Sequence, residues 1–266
     1  MFTDEDFWKT TKIIQLIINE KQEDLQVFDN MEYSVTVTSS IEYPKNMSFV
    51  IFLAKCPLRC PYCSNSEILE EGTEISLEEM YEKIDDSALF MDAVVVSGGE
   101  PLVQYEEVIE IFKYVREIGL KTKLDTSGVY PDRLRKVLDL GLVDYVAMDI
   151  KAPFDKYNEV IKADIGQNVK ESMEIVNEYE DIYLECRTTY CPKLLTEEDL
   201  FTIVDEVDCD LYTIQQFRNR CVLDESLAEA EEPNPHDMED IAKRIKDKYP
   251  NQDMNVKTAE FGQRSI

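Results

Sequence analysis

The chain has 266 residues, 44% of them hydrophobic, which is enough for one sizeable core, and its formal net charge is −28. This negative field repels phosphate backbones and anionic lipids, so we expect neither nucleic acid nor a membrane as a partner. The apolar runs are too short to span a bilayer, and the acidic N-terminus lacks the basic start of a signal peptide. We therefore expect a cytoplasmic protein whose seven cysteines are reduced thiols or metal ligands.

The first patterned segment is residues 4–22, where apolar residues recur at helical spacing. This segment precedes every motif that carries chemistry. We expect residues 1–30 to form an N-terminal helical extension and residues 31–266 to form a single core domain.

From residue 48 onward, apolar runs of strand length alternate with stretches of helical pattern. The predicted strands are 48–54, 92–97, 121–126, 144–150, 181–188 and 211–217. The predicted helices are 76–85, 104–118, 131–140, 167–179, 196–207 and 236–248, and Ser76 and Thr196 provide two start signals. Apolar runs without polar alternation are typical of strands buried on both faces. The six repeated βα units therefore predict a partial (β/α)6 barrel, open at one side, with helices outside.

Polar or glycine-rich residues follow each predicted strand. In folds of this kind the chemistry lies at the carboxyl ends of the strands, so we expect these residues to form one site. In chain order they are Cys56, Cys60 and Cys63; Gly98, Gly99 and Glu100; Asp125 and Thr126; Asp149 and Lys151; Arg187; and Gln215.

The three cysteines of the first strand end have C-x3-C-x2-C spacing. Three thiolates can hold three corners of a [4Fe–4S] cluster and leave the fourth iron open. A zinc site would add His236 or a fourth cysteine, but zinc spacings are usually paired C-x2-C units and only one such unit exists here. Cys186, Cys191, Cys209 and Cys221 show no such pair, so we interpret most of them as small buried hydrophobes rather than a second cluster.

The cysteine loop and the turn Gly98-Gly99-Glu100-Pro101 resemble the two signatures of the radical S-adenosylmethionine (SAM) superfamily. Within it, the chain most resembles the activating protein of anaerobic ribonucleotide reductase, over about residues 45–262. The segments that carry this closer resemblance are 125–128, 143–151, 187–189, 212–218 and 256–262.

The resemblance implies that the three cysteines bind the cluster and that the open iron takes the amino and carboxylate groups of SAM. Gly98 and Gly99 would let the backbone approach the amino group, with the negative charge of Glu100 near it. Tyr62, between two of the cysteines, would pack near the adenine.

The same resemblance implies roles for the residues at the later strand ends. Lys151 would pair with the SAM carboxylate, and Arg187 would do the same or contact the ribose. Asp125, Thr126 and Asp149 resemble a site where a monovalent cation lies beside SAM. Gln215, at the last predicted strand end, would contact the ribose.

The function that the resemblance implies is generation of a glycyl radical on a partner protein, which fits an open barrel mouth. Anaerobic ribonucleotide reductase is the best match as partner, with a low-potential electron donor, flavodoxin or ferredoxin. Three alternatives remain. They are a formate-lyase-type activating enzyme, a small-molecule radical SAM enzyme of the 7-carboxy-7-deazaguanine synthase type, and a non-enzymatic iron–sulfur carrier or regulator, which would need a fourth ligand.

Overall fold

The computed structural model describes residues 30–220 and 222–266. The helix predicted over residues 4–22 lies outside the described residues, so the N-terminal extension stays a prediction. None of the helices in the described ranges is long and apolar enough to cross a bilayer.

The described residues form one sheet of ten strands, in the order β10-β9-β8-β7-β6-β5-β4-β2-β1-β3. Seven neighbouring strands, β2 and β4 to β9, are parallel, whereas β1, β3 and β10 pair antiparallel at the two edges. The strands are β1 Asn30–Ser39, β2 Ser48–Leu53, β3 Thr73–Ser76, β4 Ala93–Gly98, β5 Lys121–Thr126, β6 Tyr145–Asp149, β7 Tyr183–Tyr190, β8 Leu211–Gln216, β9 Asp253–Thr258 and β10 Gly262–Ser265. Because β10 and β3 stand at opposite ends of this order, the barrel is open at one side.

The helices connect successive parallel strands and cover one face of the sheet. They are α1 Leu77–Ala88, α2 Tyr105–Glu117, α3 Pro131–Leu138, α4 Tyr157–Val160, α5 Gly166–Val176, α6 Glu197–Glu206 and α7 Pro235–Lys248. Ser76 caps α1 and Thr196 caps α6, and in each helix the third residue, Glu79 or Asp199, bonds back to the cap. Both start signals predicted from the sequence are therefore confirmed.

The six predicted βα units are confirmed as a partial barrel, and each strand and helix predicted for these units overlaps an observed one. The sequence prediction omitted β1, β3, β9 and β10. β9 adds a seventh parallel strand after the sixth unit. It was not predicted because its six residues, DMNVKT, interleave polar side chains with the two buried apolar residues Met254 and Val256.

The two faces of the sheet are packed differently. On the helix side, alternate strand residues such as Ile51, Val96 and Val146 join the large apolar core. The opposite face has only a small apolar cluster around Val50, Val95 and Tyr145. It also buries four charged side chains, those of Lys123, Asp125, Glu185 and Arg187. Burial of charge is costly unless the groups are paired, so this interior indicates a functional constraint.

Candidate functional site

A cavity of about 440 Å³ lies at the carboxyl ends of the parallel strands. Twelve of the thirteen site residues predicted from the sequence line it: Cys56, Cys60, Tyr62, Cys63, Gly98, Gly99, Asp125, Thr126, Asp149, Lys151, Arg187 and Gln215. They come from six different strand ends, so the parallel topology brings together residues that are up to 159 positions apart in sequence. Glu100 is the thirteenth and is fully buried behind this wall.

The cysteine loop starts with a backbone conformation that residues other than glycine rarely adopt. Lys55 has φ 71°, in the left-handed region, and reverses the chain directly before Cys56. Its N–H donates to the carbonyl of Ile68 at 2.7 Å, and the N–H of Cys56 donates to the carbonyl of Leu69 at 3.0 Å. The loop is therefore held at its base by backbone bonds, and its cysteines face the cavity.

The Gly98-Gly99 turn fastens the end of β4 to the cysteine loop. The N–H of Gly99 donates to the carbonyl of Leu53, and the N–H of Glu100 donates to the carbonyl of Lys55, both at 2.9 Å. A Cβ on Gly98 would meet the Leu53 oxygen at 2.1 Å, and one on Gly99 would meet the Lys55 oxygen at 2.4 Å. Both positions thus require glycine, because two backbone segments approach each other closely there. This requirement holds whether or not a ligand is bound.

Glu100 supports the turn from behind. Its carboxylate accepts hydrogen bonds from the Leu102 N–H, the Thr126 hydroxyl, and both the N–H and the hydroxyl of Ser127, at 2.5 to 3.0 Å. Burial raises the pKa of Glu100 in spite of these four donors. The carboxylate therefore joins the end of β4 to the end of β5. Its proximity to the SAM amino group stays a prediction.

Five charged side chains of alternating sign follow one another through the barrel interior to the cavity. The Lys123 ammonium lies 2.8 Å from Asp125, and Asp125 accepts from Arg187 Nη1 at 3.0 Å. Arg187 Nε donates to Asp149 Oδ1 at 2.9 Å, and Lys151 donates to Asp149 Oδ2 at 3.2 Å. This ion-pair chain begins and ends with a cation, and its terminal cation, Lys151, lies in the cavity wall.

The neighbouring charges decide the protonation of these groups. Burial alone would raise the pKa of Asp125, but Arg187 and Lys123 hold it well below its usual range. Burial would lower the pKa of Lys151, but Asp149 and the nearby Cys60 raise it well above its usual value. Asp125 and Lys151 therefore stay ionised at neutral pH, and Lys151 can bind an anion in the cavity.

Known proteins resemble the chain in both sequence and fold. The model of the radical SAM superfamily matches residues 50–207. A Methanocaldococcus jannaschii protein, named by inference a glycyl-radical enzyme activating enzyme, is 41% identical over 214 residues, which are 78% of this chain and 88% of the relative. The chain belongs to the radical SAM superfamily.

Two further similarities support this assignment. The pyruvate formate-lyase 1-activating enzyme of Escherichia coli is 32% identical over 119 residues, 42% of this chain and 48% of that enzyme. The structure of TYW1 with a lysine–pyruvate adduct aligns with 98% of this chain and 94% of its own at a TM-score of 0.61 and 14% identity. At that identity the likeness shows the fold alone. The relatives place this radical SAM enzyme with the glycyl-radical activating enzymes.

Radical SAM proteins use a [4Fe–4S] cluster and SAM, and the residues of this chain fit that pair. Over residues 30–220 and 222–266, no three His, Cys, Asp or Glu side chains converge on a single metal ion, as a zinc site would require. A [4Fe–4S] cluster binds each cysteine through a different iron. The buried Tyr62 hydroxyl beside these cysteines has no hydrogen-bond partner among the described residues, which fits a site built for a further polar group.

The other described cysteines and the histidine lie elsewhere. Cys186, Cys191 and Cys209 are absent from the wall of the cavity, whereas Cys221 is outside the described residues. His236 lies in the first turn of α7, where its N–H donates to the Asn234 side chain. None of the described members of this set adds a fourth ligand at the cavity wall.

Several residues of the cavity wall were not among the individual site residues predicted from the sequence. They include Thr189, Gln216, Arg218, Lys257 and Thr258. Lys257 and Thr258 end β9, the strand that the sequence prediction omitted. Arg218 lies in segment 212–218, which carries the family resemblance, but its position two residues beyond β8 gave no chemical signal without the fold.

Proposed function

We propose that this radical SAM protein is an activating enzyme that generates a glycyl radical on a partner protein, with anaerobic ribonucleotide reductase as the first candidate partner. The observation that carries the proposal is the cavity itself, in which three cysteines face the cation Lys151 and no fourth cysteine or histidine is found among the described wall residues. The relatives named glycyl-radical enzyme activating enzymes give the substrate class. The open barrel supports a macromolecular substrate, because a protein segment needs less enclosure than a small molecule.

The cluster ligands would be Cys56, Cys60 and Cys63. Burial raises the pKa of the Cys56 thiol to about 12, so metal binding has to displace a tightly held proton. A [4Fe–4S] cluster held by these three cysteines would supply the electron for reductive cleavage of SAM, and the radical chemistry that follows would remove a hydrogen from the glycine of the partner. The ring of Tyr62, fixed between two ligands, would pack near the adenine.

The SAM carboxylate would pair with Lys151, the terminal cation of the ion-pair chain. The Gly98–Gly99 backbone would lie near the SAM amino group, and Gln215 would contact the ribose. Arg187 already donates to Asp125 and Asp149. We therefore assign Arg187 the task of holding Asp149, and through it Lys151, in place.

A monovalent cation at Asp125, Thr126 and Asp149 remains a proposal. The guanidinium of Arg187 bridges the two carboxylates and already neutralises part of their charge. A comparison of SAM cleavage in sodium, potassium and tetramethylammonium buffers of equal ionic strength would test the need for such an ion.

The decisive experiment is anaerobic. The reconstituted protein is mixed with SAM, dithionite and either the anaerobic ribonucleotide reductase or a formate-lyase-type protein of the source organism. We expect a glycyl radical signal in electron paramagnetic resonance (EPR) with the reductase, and formation of 5′-deoxyadenosine. A signal with the formate-lyase-type protein alone would favour the second candidate, to which the Escherichia coli relative points. SAM cleavage without a radical on either protein would refute an activating enzyme for these partners.

Two further proposals accompany this function. A flavodoxin or ferredoxin would replace dithionite as the low-potential electron donor, and radical yield with each purified donor measures this. We retain a cytoplasmic location, because the reducing cytoplasm keeps cysteines available as metal ligands. Neither nucleic acid nor a membrane is proposed as a partner.

A further inference from the structure

The wall of the cavity is basic in an otherwise acidic protein. Four basic side chains line it, against the two acidic side chains Asp125 and Asp149, although the whole chain has a net charge of −28. Lys151 and Arg187 belong to the ion-pair chain. The other two, Arg218 beyond the end of β8 and Lys257 on β9, lie further along the sheet.

The Arg218 side chain is held by an ion pair, but few of its N–H donors have a hydrogen-bond partner among the described residues. Its Nε lies 3.1 Å from Glu232 Oε2, and 31% of the side chain is exposed. Its Nη1 is buried and has no hydrogen-bond partner among the described residues. Arg187, in contrast, donates to two carboxylates. Because a guanidinium offers five donors in a fixed fork, an arginine in a cavity wall with one carboxylate partner has capacity for an acceptor from outside.

The surrounding loop fixes the position of this arginine. In the β8–α7 loop (residues 217–234), the Asn219 N–H donates to Glu232 Oε1 at 3.0 Å, so both oxygens of Glu232 are engaged. The Gln216 side chain closes the base of the loop by donating to the Pro233 carbonyl at 3.0 Å. Asp224 N–H donates to the carbonyl of Pro61, in the cysteine loop, at 2.9 Å. One loop therefore joins Arg218 to the predicted cluster ligands.

Arg218 and Lys151 lie at different positions along the cavity wall. Neighbouring strands lie about 4.8 Å apart, so the ends of β6 and β8, two strands apart, are separated by about 10 Å. A carboxylate bound at Lys151 therefore leaves the Arg218 side of the cavity open to a second group. Under the proposed function, that second group belongs to the partner protein.

The chemistry of glycine limits how it can be recognised. Glycine has no side chain of its own, so the groups that the glycine itself offers for recognition are those of the peptide bonds on either side. The acceptors of a peptide group are carbonyl oxygens, and a fixed guanidinium is a matching donor.

We propose that Arg218 binds a main-chain carbonyl of the partner's glycine-bearing segment and thereby positions the glycine Cα in the cavity, with Glu232 as the residue that orients Arg218. This inference rests on the proposed function and adds a substrate-positioning residue to it.

The test compares R218M and R218K with R244M in the holoenzyme. Arg244 is the matched control, because it also pairs with one glutamate, Glu197, but lies on the exposed side of α7. For each variant, the glycyl radical formed on the partner is divided by the 5′-deoxyadenosine released. The KM values for the partner and for SAM are measured separately. Iron content and thermal unfolding report whether the variants are folded.

We expect R218M to lower the ratio of glycyl radical to 5′-deoxyadenosine about tenfold or more, with a raised KM for the partner, because a charge-assisted hydrogen bond is lost. R218K should retain an intermediate ratio, and R244M should match the wild type. An unchanged ratio in folded R218M or R218K overturns the inference, and so does a parallel loss of both products with a raised KM for SAM. A wild-type protein that forms no radical on either partner overturns the proposed function instead.

Discussion

Gly99→Ala tests whether the glycine turn determines the position of the cysteine loop. The new Cβ would lie 2.4 Å from the Lys55 carbonyl oxygen and 3.1 Å from the Cβ of Cys56. Ordinary contact requires about 3.4 Å or more, so the loop backbone must retreat by about 1 Å. That retreat would stretch the 2.9 Å bond from the Glu100 N–H to Lys55 beyond hydrogen-bonding distance.

The expected cost combines these two effects. Overpacking against backbone costs about 1–3 kcal/mol and the lost hydrogen bond about 1 kcal/mol, so G99A should lower the free energy of unfolding by about 2–4 kcal/mol. Lys55 is already in the left-handed region and cannot relax freely. We therefore also expect reconstituted G99A to hold clearly less iron than the wild type.

Gly141→Ala provides the control. Gly141 has φ 64° and no heavy atom within 4 Å of a new Cβ. The substitution should cost only about 1 kcal/mol of backbone strain and leave iron content unchanged. Urea unfolding of the apo-proteins and iron per chain after anaerobic reconstitution are the two measurements. If G99A binds wild-type iron and unfolds no more easily than G141A, the glycine turn does not control the loop.

Three further predictions concern the cluster ligands and the ion-pair chain. C60S should lose most of its iron on reconstitution whereas C209S keeps it, and equal iron in both would argue against a three-cysteine site. R187Q leaves two buried carboxylates without their shared cation and should lower the free energy of unfolding by about 3–5 kcal/mol in urea, while a loss below about 1 kcal/mol would contradict this pairing. The pKa of Asp125 is lowered by folding, so its stabilisation is present above its unfolded pKa of about 3.9 and is lost as pH falls further. The stability difference between wild type and D125N should shrink below about pH 4 in urea titrations, and a difference that stays constant from pH 6 to 3 would refute the assignment.

The sequence by itself determined the repeated βα architecture and the chemistry of its strand ends. Buried parallel strands appear as short apolar runs, such as Ala93-Val94-Val95-Val96, and these were found because hydrophobicity and periodicity are local properties. The C-x3-C-x2-C spacing is equally local. Twelve predicted residues could be assigned to one cavity because parallel strands bring their carboxyl ends to the same side of the sheet.

Only the tertiary structure decided which of these polar groups are free to act and which are engaged by one another. The sequence does not show that Arg187 lies between Asp125 and Asp149, or that Glu100 turns away from the cavity to bond Thr126 and Ser127. Nor does it show that Arg218 lies on the wall with a buried donor that has no partner among the described residues. The reason is physical: pairing of charges depends on distance in space, and these partners are brought into contact by strand register and loop closure rather than by their spacing along the chain.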